Sequence, residues 1–351
     1  MNKILYLYAE VMGYTLSTLE KLVDFGAEVH VVCYDTGKIT PYKINTTLKI
    51  KFYQRSKINR DTILNLAKKI KPNVIVVSGW QDREYLSSCK VFVHQGLPVV
   101  CGFDDQWTGS LKQHFASSLS KLGIFKTWFT HAWVCGPRQF EYASRLGFDK
   151  NKILFDLYSA DLKLFVKAFL KAKKKKIKTY PHNFLFVGRF EKVKGLDILL
   201  KAWDRITEFR KDWTLTMVGN GSLNSDFKKH TGVKILNFLQ PKDLIKLIEK
   251  SGCFVLPSRF EPWGVVVHEF AAAGMPLILS NAVGSSDMFL INGANGYLFE
   301  KNNVPSLENK LLKIIKSSDR KLLSMSNFSS NLSNRVTPTT SARNLLTLCQ
   351  K

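Results

Sequence analysis

The sequence predicts an α/β chain of two domains, each a parallel sheet flanked by helices. Short β-branched apolar runs alternate with helical patterns along almost the whole chain, as a parallel sheet with crossover helices requires. The alternation breaks once, where FLKAKKKKIK at 169–178 is followed by Pro181. At 351 residues the chain is long enough for two domains with cores of their own.

Taken in order, residues 3–9 read as a strand and 14–25 as a helix with Leu16, Leu19, Leu22 and Val23 on one side. Strands follow at 29–33 and, more weakly, at 50–53. Helix 60–70 leads into strand 74–77, helix 84–93 ends near Gly96, and strand 99–103 comes next. A helix at 108–116, a strand at 132–135 and a helix at 138–146 stopped by Gly147 complete the first half. The lysine-rich stretch reads as a solvated basic linker rather than a ligand site. The second series has strand 184–187, helix 195–209, strands 214–218 and 234–236, and helix 242–250. Strand 253–256, helix 264–273 and strand 276–279 follow, and helices at 305–316, 319–332 and 339–348 close the chain. There is no repeat of solenoid period.

Composition narrows the function classes. Hydrophobic content of 45% is ordinary, but 52 Lys+Arg against 28 Asp+Glu leaves a net charge of +24. Such a field suits an acidic ligand or surface: nucleotide phosphates, anionic lipid headgroups or nucleic acid. The six cysteines lack C-x-x-C spacing, and four of them (Cys33, Cys101, Cys135, Cys253) fall in strand-like runs, which argues for a reducing compartment and against a zinc site. The start, MNKILYLYAEVMGY, runs straight into a strand pattern without the shape of a cleavable signal. No window approaches the ~20 apolar residues of a membrane span. A cytoplasmic protein is expected, held peripherally on the inner face of an anionic membrane, with salt-sensitive attachment through the N-terminal domain.

The richest stretch is 257–300, PSRFEPWGVVVHEFAAAGMPLILSNAVGSSDMFLINGANGYLFE. It places Glu261 just before a helix and Glu269 on that helix's second turn. Ligands of open α/β sheets bind at the carboxyl ends of strands, beside helix starts. There the first-turn amides of Gly264, Val265 and Val266 would point at an anion. Taken singly, Glu261 also reads as a helix N-terminal charge and Glu269 as a solvated one. The second cluster is FLFVGRFEKVKG at 184–195, where Arg189 and Lys194 lie between a strand and a helix. Two such cations can neutralise a diphosphate through charge-assisted contacts, or simply form a basic loop on a basic protein.

Together these segments resemble family 4 glycosyltransferases, retaining enzymes of the GT-B fold. The resemblance rests on E-x7-E within S-R-F-E-P-W-G-V-V-V-H-E-x-x-A-x-G-x-P, on N-G-Y-L-F at 295–299, and on V-G-R-x-x-x-x-K-G at 187–195. It is dense over 184–300 and mainly architectural before that. It implies two Rossmann-like domains with parallel sheets facing each other across a cleft. The N-terminal, acceptor-binding domain would span 1–165 and the nucleotide-sugar donor domain 183–335. A helix within 336–351 would pack back on the first domain. It further implies Arg189 and Lys194 on the donor pyrophosphate, Glu269 on the ribose and Glu261 at the donor sugar. Trp263, Gly264, Val265 and Val266 would border the donor, and strand 234–239 the base. No cofactor or metal is expected beyond the nucleotide-diphosphate sugar itself. The expected acceptor is a saccharide or lipid-linked saccharide of a surface glycan.

The first domain departs from the family pattern. The loop after its first strand, AEVMGYT, has only Gly13 where the family is glycine-rich; Gly13 is a candidate donor-phosphate contact. Where the family places a histidine, VVCGFDDQWTGS offers Asp104 and Asp105 instead. These could orient or deprotonate an acceptor hydroxyl, bind a metal, or cap the following helix. Three rivals remain: a phosphorylase or synthase of the same fold, a sugar-nucleotide-binding protein without turnover, and a nucleic-acid-binding protein. The last is suggested only by the charge, lacks any helix-turn-helix, RNP or finger pattern, and is not expected.

Overall fold

The computed structural model describes residues 1–36, 42–121, 123–223 and 230–349. The chain divides into two compact units, residues 1–159 with 336–351 and residues 160–335.

The first unit runs β1 (Lys3–Tyr8), α1 (Gly13–Asp24), β2 (Glu28–Cys33), β3 (Ile50–Gln54), α2 (Arg60–Ile70), β4 (Val74–Ser78), α3 (Arg83–His94), β5 (Val99–Phe103), α4 (Leu111–Lys121), β6 (His131–Val134), α5 (Pro137–Arg145) and β7 (Ile153–Leu154). Its strands form one parallel sheet in the order β3-β2-β1-β4-β5-β6-β7. The central strands are buried on both faces, so they read as unbroken apolar runs such as 74–77.

The second unit begins with α6 (Leu162–Lys176), β8 (Asn183–Val187), α7 (Leu196–Arg205), β9 (Thr214–Val218), β10 (Val233–Leu236) and α8 (Pro241–Leu244). It continues with β11 (Cys253–Leu256), α9 (Val265–Ala272), β12 (Leu277–Ser280), α10 (Ser286–Phe289), β13 (Gly296–Phe299), α11 (Val304–Ile315) and α12 (Asp319–Ser333). The sheet is again parallel, in the order β10-β9-β8-β11-β12-β13. A last helix, α13 (Pro338–Leu346), belongs to the first unit and packs on α1.

Three elements differ from the sequence expectation. The basic stretch is helix α6, not a linker: Phe165, Phe169, Ala172 and Lys176 recur at helical spacing and are buried. Asp161 caps it, accepting from the Leu164 amide at 3.0 Å. Lys176 turns inward, donates to the Ser251 carbonyl at 2.8 Å and lies over the Tyr180 ring; burial lowers its ammonium to about 7. The expected helix at 242–250 is only the one turn of α8 followed by 3₁₀ turns over Ile245–Lys250. Helix α4 starts at Leu111, with the Ser110 hydroxyl accepting from the Gln113 amide, so Asp104 and Asp105 do not cap it.

Each sheet reverses its strand order once, between β1 and β4 in the first unit and between β8 and β11 in the second. The loops leaving the carboxyl ends of those strands are the favoured places for a ligand.

Candidate active site

In the second unit the loops after β8 and β11 are pressed together. Gly195 lies in the left-handed region at φ 68°, and a Cβ there would come within 2.2 Å of the Pro257 carbonyl oxygen. Only glycine fits on both counts. Arg259 sews the same loops, its amide donating to the Val193 carbonyl at 2.8 Å. Its guanidinium forms a fork with the Asp197 carboxylate at 2.7 and 2.8 Å, which holds that carboxyl below its ordinary range. The loop after β9 joins them where the Phe190 amide donates to the Asn220 carbonyl at 2.9 Å.

The two cations expected on a phosphate are placed differently. Arg189 is exposed; nearby, the Glu191 carboxyl is held below its ordinary range by the Ser222 hydroxyl and amide and, less strongly, by the Arg189 charge. Lys194 is mostly buried and forms an ion pair with Glu261. Glu261 is also held by the Ser258 hydroxyl, which donates to Oε2 at 3.1 Å. Its backbone is fixed on both sides, by its own amide to Ala282 O at 3.2 Å and by the Gly284 amide to its carbonyl at 3.0 Å. Sequence reasoning missed Ser258 and Arg259 as supports, although both stand in the quoted S-R-F-E run.

Gly264 starts α9 at φ 84°, and a Cβ on it would touch Glu261 Cγ at 2.9 Å. The glycine lets the carboxylate lie against the helix start. The amides of Val265 and Val266 open the first turn, and the first bond within it is Val267 N–H to Gly264 O at 3.0 Å. Val265 and Val266 remain partly exposed. Trp263 is fully buried, edge-on to Phe289, and its indole Nε1 has no partner among the described residues. At 0% exposure its ring is part of the core, so the side chain does not border an open donor site as the resemblance implied.

Further along α9, burial and the Asp161 carboxylate raise Glu269 to about 7. Its neighbour His268 is fully buried and stacked on Phe289. Nδ1 accepts from the Ala160 amide at 3.1 Å, which makes Nε2 the donor to the Ser333 carbonyl at 2.8 Å. Burial lowers this imidazole to about 4. No role for His268 was drawn from the sequence; a histidine after three valines reads equally well as buried or exposed.

The structure thus brings together Arg189, Lys194, Glu261, Gly264, Val265, Val266 and Glu269 on elements around one strand reversal. Of the other candidates, Trp263 is buried in the same unit, and Gly13, Asp104 and Asp105 belong to the first unit. Gly13 opens α1, and a Cβ there would lie 3.4 Å from the Tyr42 hydroxyl. Asp104 and Asp105 follow β5; the Asp104 carbonyl accepts from Gln139 at 3.1 Å, and Asp105 is exposed.

Residues 168–331 match the family described as glycosyl transferases group 1. Glycogen synthase of Mycobacterium tuberculosis is 34% identical over 137 residues, which cover 37% of this chain. The chain spans only 33% of that relative's own length. Solved structures match along the whole chain, two of them as follows. A glycosyltransferase of Rickettsia africae superposes with a TM-score of 0.72 at 15% identity, covering 99% of this chain and 98% of the other. HepE of Anabaena, solved in complex with UDP-glucose, gives 0.71 at 15% identity, covering 99% of each. Likeness at this identity shows the fold, which is GT-B.

Proposed function

We propose, from the match of residues 168–331 to the family described as glycosyl transferases group 1, that the chain is a retaining glycosyltransferase. It would move a sugar from a nucleotide-diphosphate donor, a UDP-sugar in the first instance, to an acceptor hydroxyl. One observation carries the reading. An exposed guanidinium (Arg189), a mostly buried ammonium (Lys194) and the open first turn of α9 stand on loops at one strand reversal, with Glu261 against Lys194.

In this reading the diphosphate takes the amides of Val265 and Val266 together with Arg189 and Lys194. The bond between the sugar's anomeric carbon and the phosphate oxygen breaks, and a bond from that carbon to the acceptor oxygen forms on the same face. The charge left on the diphosphate falls on donors already in place, an electrostatic form of catalysis. The acceptor's proton leaves to the departing phosphate oxygen or to Asp104. Glu269 accepts from the ribose hydroxyls, and Glu261, oriented by Ser258 and Lys194, accepts from the sugar. Supporting the finer reading, an acceptor on a surface glycan at an anionic membrane, is the net charge of +24. Among the described residues no helix is long and apolar enough to cross a membrane.

Calorimetry and donor hydrolysis with UDP-, GDP-, ADP- and TDP-sugars test this directly. Glu269→Gln is expected to weaken nucleotide binding. Glu261→Gln and Asp104→Asn should spare it while lowering transfer at least tenfold. No binding to any nucleotide sugar, or equal loss of nucleotide affinity in all three variants, would overturn the assignment.

A further inference from the structure

The strongest concentration of charge in the chain has no part in that chemistry. Residues 162–178 hold eight lysines and no acidic side chain. One of them, Lys176, is buried; Lys163, Lys167, Lys171, Lys174, Lys175 and Lys178 are exposed. At 3.6 residues per turn, Lys163, Lys167, Lys171, Lys174 and Lys178 form one row along α6 and its end. Beside that row stand Leu170 and Ile177, 57% and 61% exposed, two turns apart on the same edge. Lys173 borders them on the other side, over the Phe169 ring. Glu249 pairs with Lys171 of that row and with Lys175 beside it.

A solvated lysine face needs no exposed leucine or isoleucine. A surface that meets anionic headgroups uses both, with lysines on the phosphates and the apolar side chains in the interfacial layer. We propose that α6 is a docking surface for an anionic phospholipid bilayer, with Leu170 and Ile177 entering the interface and the lysine row lying on the headgroups. This places the membrane contact in the second unit, not in the N-terminal domain. It rests on the membrane part of the proposed function and not on sugar transfer.

The test is flotation with vesicles of phosphatidylcholine alone and of phosphatidylcholine containing phosphatidylglycerol. Three variants are compared with wild type: Lys163, Lys167, Lys174 and Lys178 all to Gln; Leu170→Ser with Ile177→Ser; and Lys57, Lys68, Lys69 and Lys90 all to Gln, which removes the same charge from the first unit. On anionic vesicles the first should lose about tenfold or more in partitioning and the second about threefold or more, with the third within about twofold of wild type. Equal loss in both charge variants would leave only net charge and overturn the assignment. So would a serine variant that floats like wild type while the first variant loses binding to a short DNA duplex, which would make the row a nucleic-acid surface. UDP calorimetry on the same samples separates the two proposals. Intact UDP binding with flotation unchanged by the α6 substitutions sinks the lipid surface alone. Lost UDP binding in wild type, with flotation as expected, sinks the donor reading alone.

Discussion

Lys194 and Arg189 sit on one loop, yet their surroundings make them different residues. Each should cost the diphosphate about 1.5–3 kcal/mol when cut to alanine, through loss of a charge-assisted contact, while nucleoside binding holds. Only Lys194→Ala also removes the ion-pair partner of Glu261, whose side chain is 11% exposed. Taking the cation away from a largely buried carboxylate should cost about 3 kcal/mol of stability. Arg189→Ala, at an exposed site, should stay within about 0.5 kcal/mol of wild type. Calorimetry with UDP and uridine beside urea denaturation checks both halves. A Lys194→Ala protein as stable as Arg189→Ala would mean that the ion pair does not hold Glu261. Both cations were legible in the sequence because a strand, a loop and a helix start confined them to a few positions. Their pairing was not, because Glu261 is far along the chain and meets Lys194 only once β8 and β11 lie side by side.

Helix α9 holds two neighbouring groups whose ionisation is opposed by the fold. Glu269, raised from 4.5 to about 7, is a proton bound in the folded state and absent from the unfolded one between those values. Stability therefore falls as pH rises through that window, by about 3 kcal/mol. His268, lowered from 6.5 to about 4, acts in the other sense: its contribution is full above 6.5 and is lost as pH falls toward 4. The two nearly cancel between pH 4.5 and 6.5. Glu269→Gln should thus match wild type near pH 4.5, exceed it by about 3 kcal/mol above pH 7, and lose stability steeply with acid in between. Urea denaturation at several pH values measures the difference, and a gain independent of pH would refute it. The sequence placed this helix within one residue at each end, since Gly264 and Gly274 bracket it. It misread α6 because eight lysines drown the spacing of Phe165, Phe169 and Ala172, and because one of those lysines takes a core position.

At the scale of the whole chain, the residues proposed for the nucleotide all lie within 160–335. Hydrogen exchange with saturating UDP should therefore slow in the loops after β8 and β11 and in the first turn of α9, since a ligand stabilises what it binds. The first unit's sheet, β1 to β7, should exchange at its unliganded rate. Slowing concentrated around Gly13 and β1 would place the nucleotide on the first unit and overturn that assignment. Parallel sheets in both units were legible because buried parallel strands leave unbroken apolar runs. The acceptor side was less so. Asp104 and Asp105 lie on a loop where a cap, a base and a structural charge share one spelling, and only the start of α4 at Leu111 removes the first of these.

The ring of His268 holds the Ala160 amide on one nitrogen and the Ser333 carbonyl on the other. The place where the chain enters the second unit and the place where it leaves are therefore a single imidazole apart. In topological terms the second unit is an insertion whose two ends meet, so it is a candidate for excision or circular permutation. A gene for 160–335 with its ends joined by a short glycine linker needs to close only a small gap, and loop closure over so few residues is entropically cheap. If such a closed module folds and retains UDP, the same junction becomes a graft point at which one donor unit can be exchanged for another on an unchanged partner.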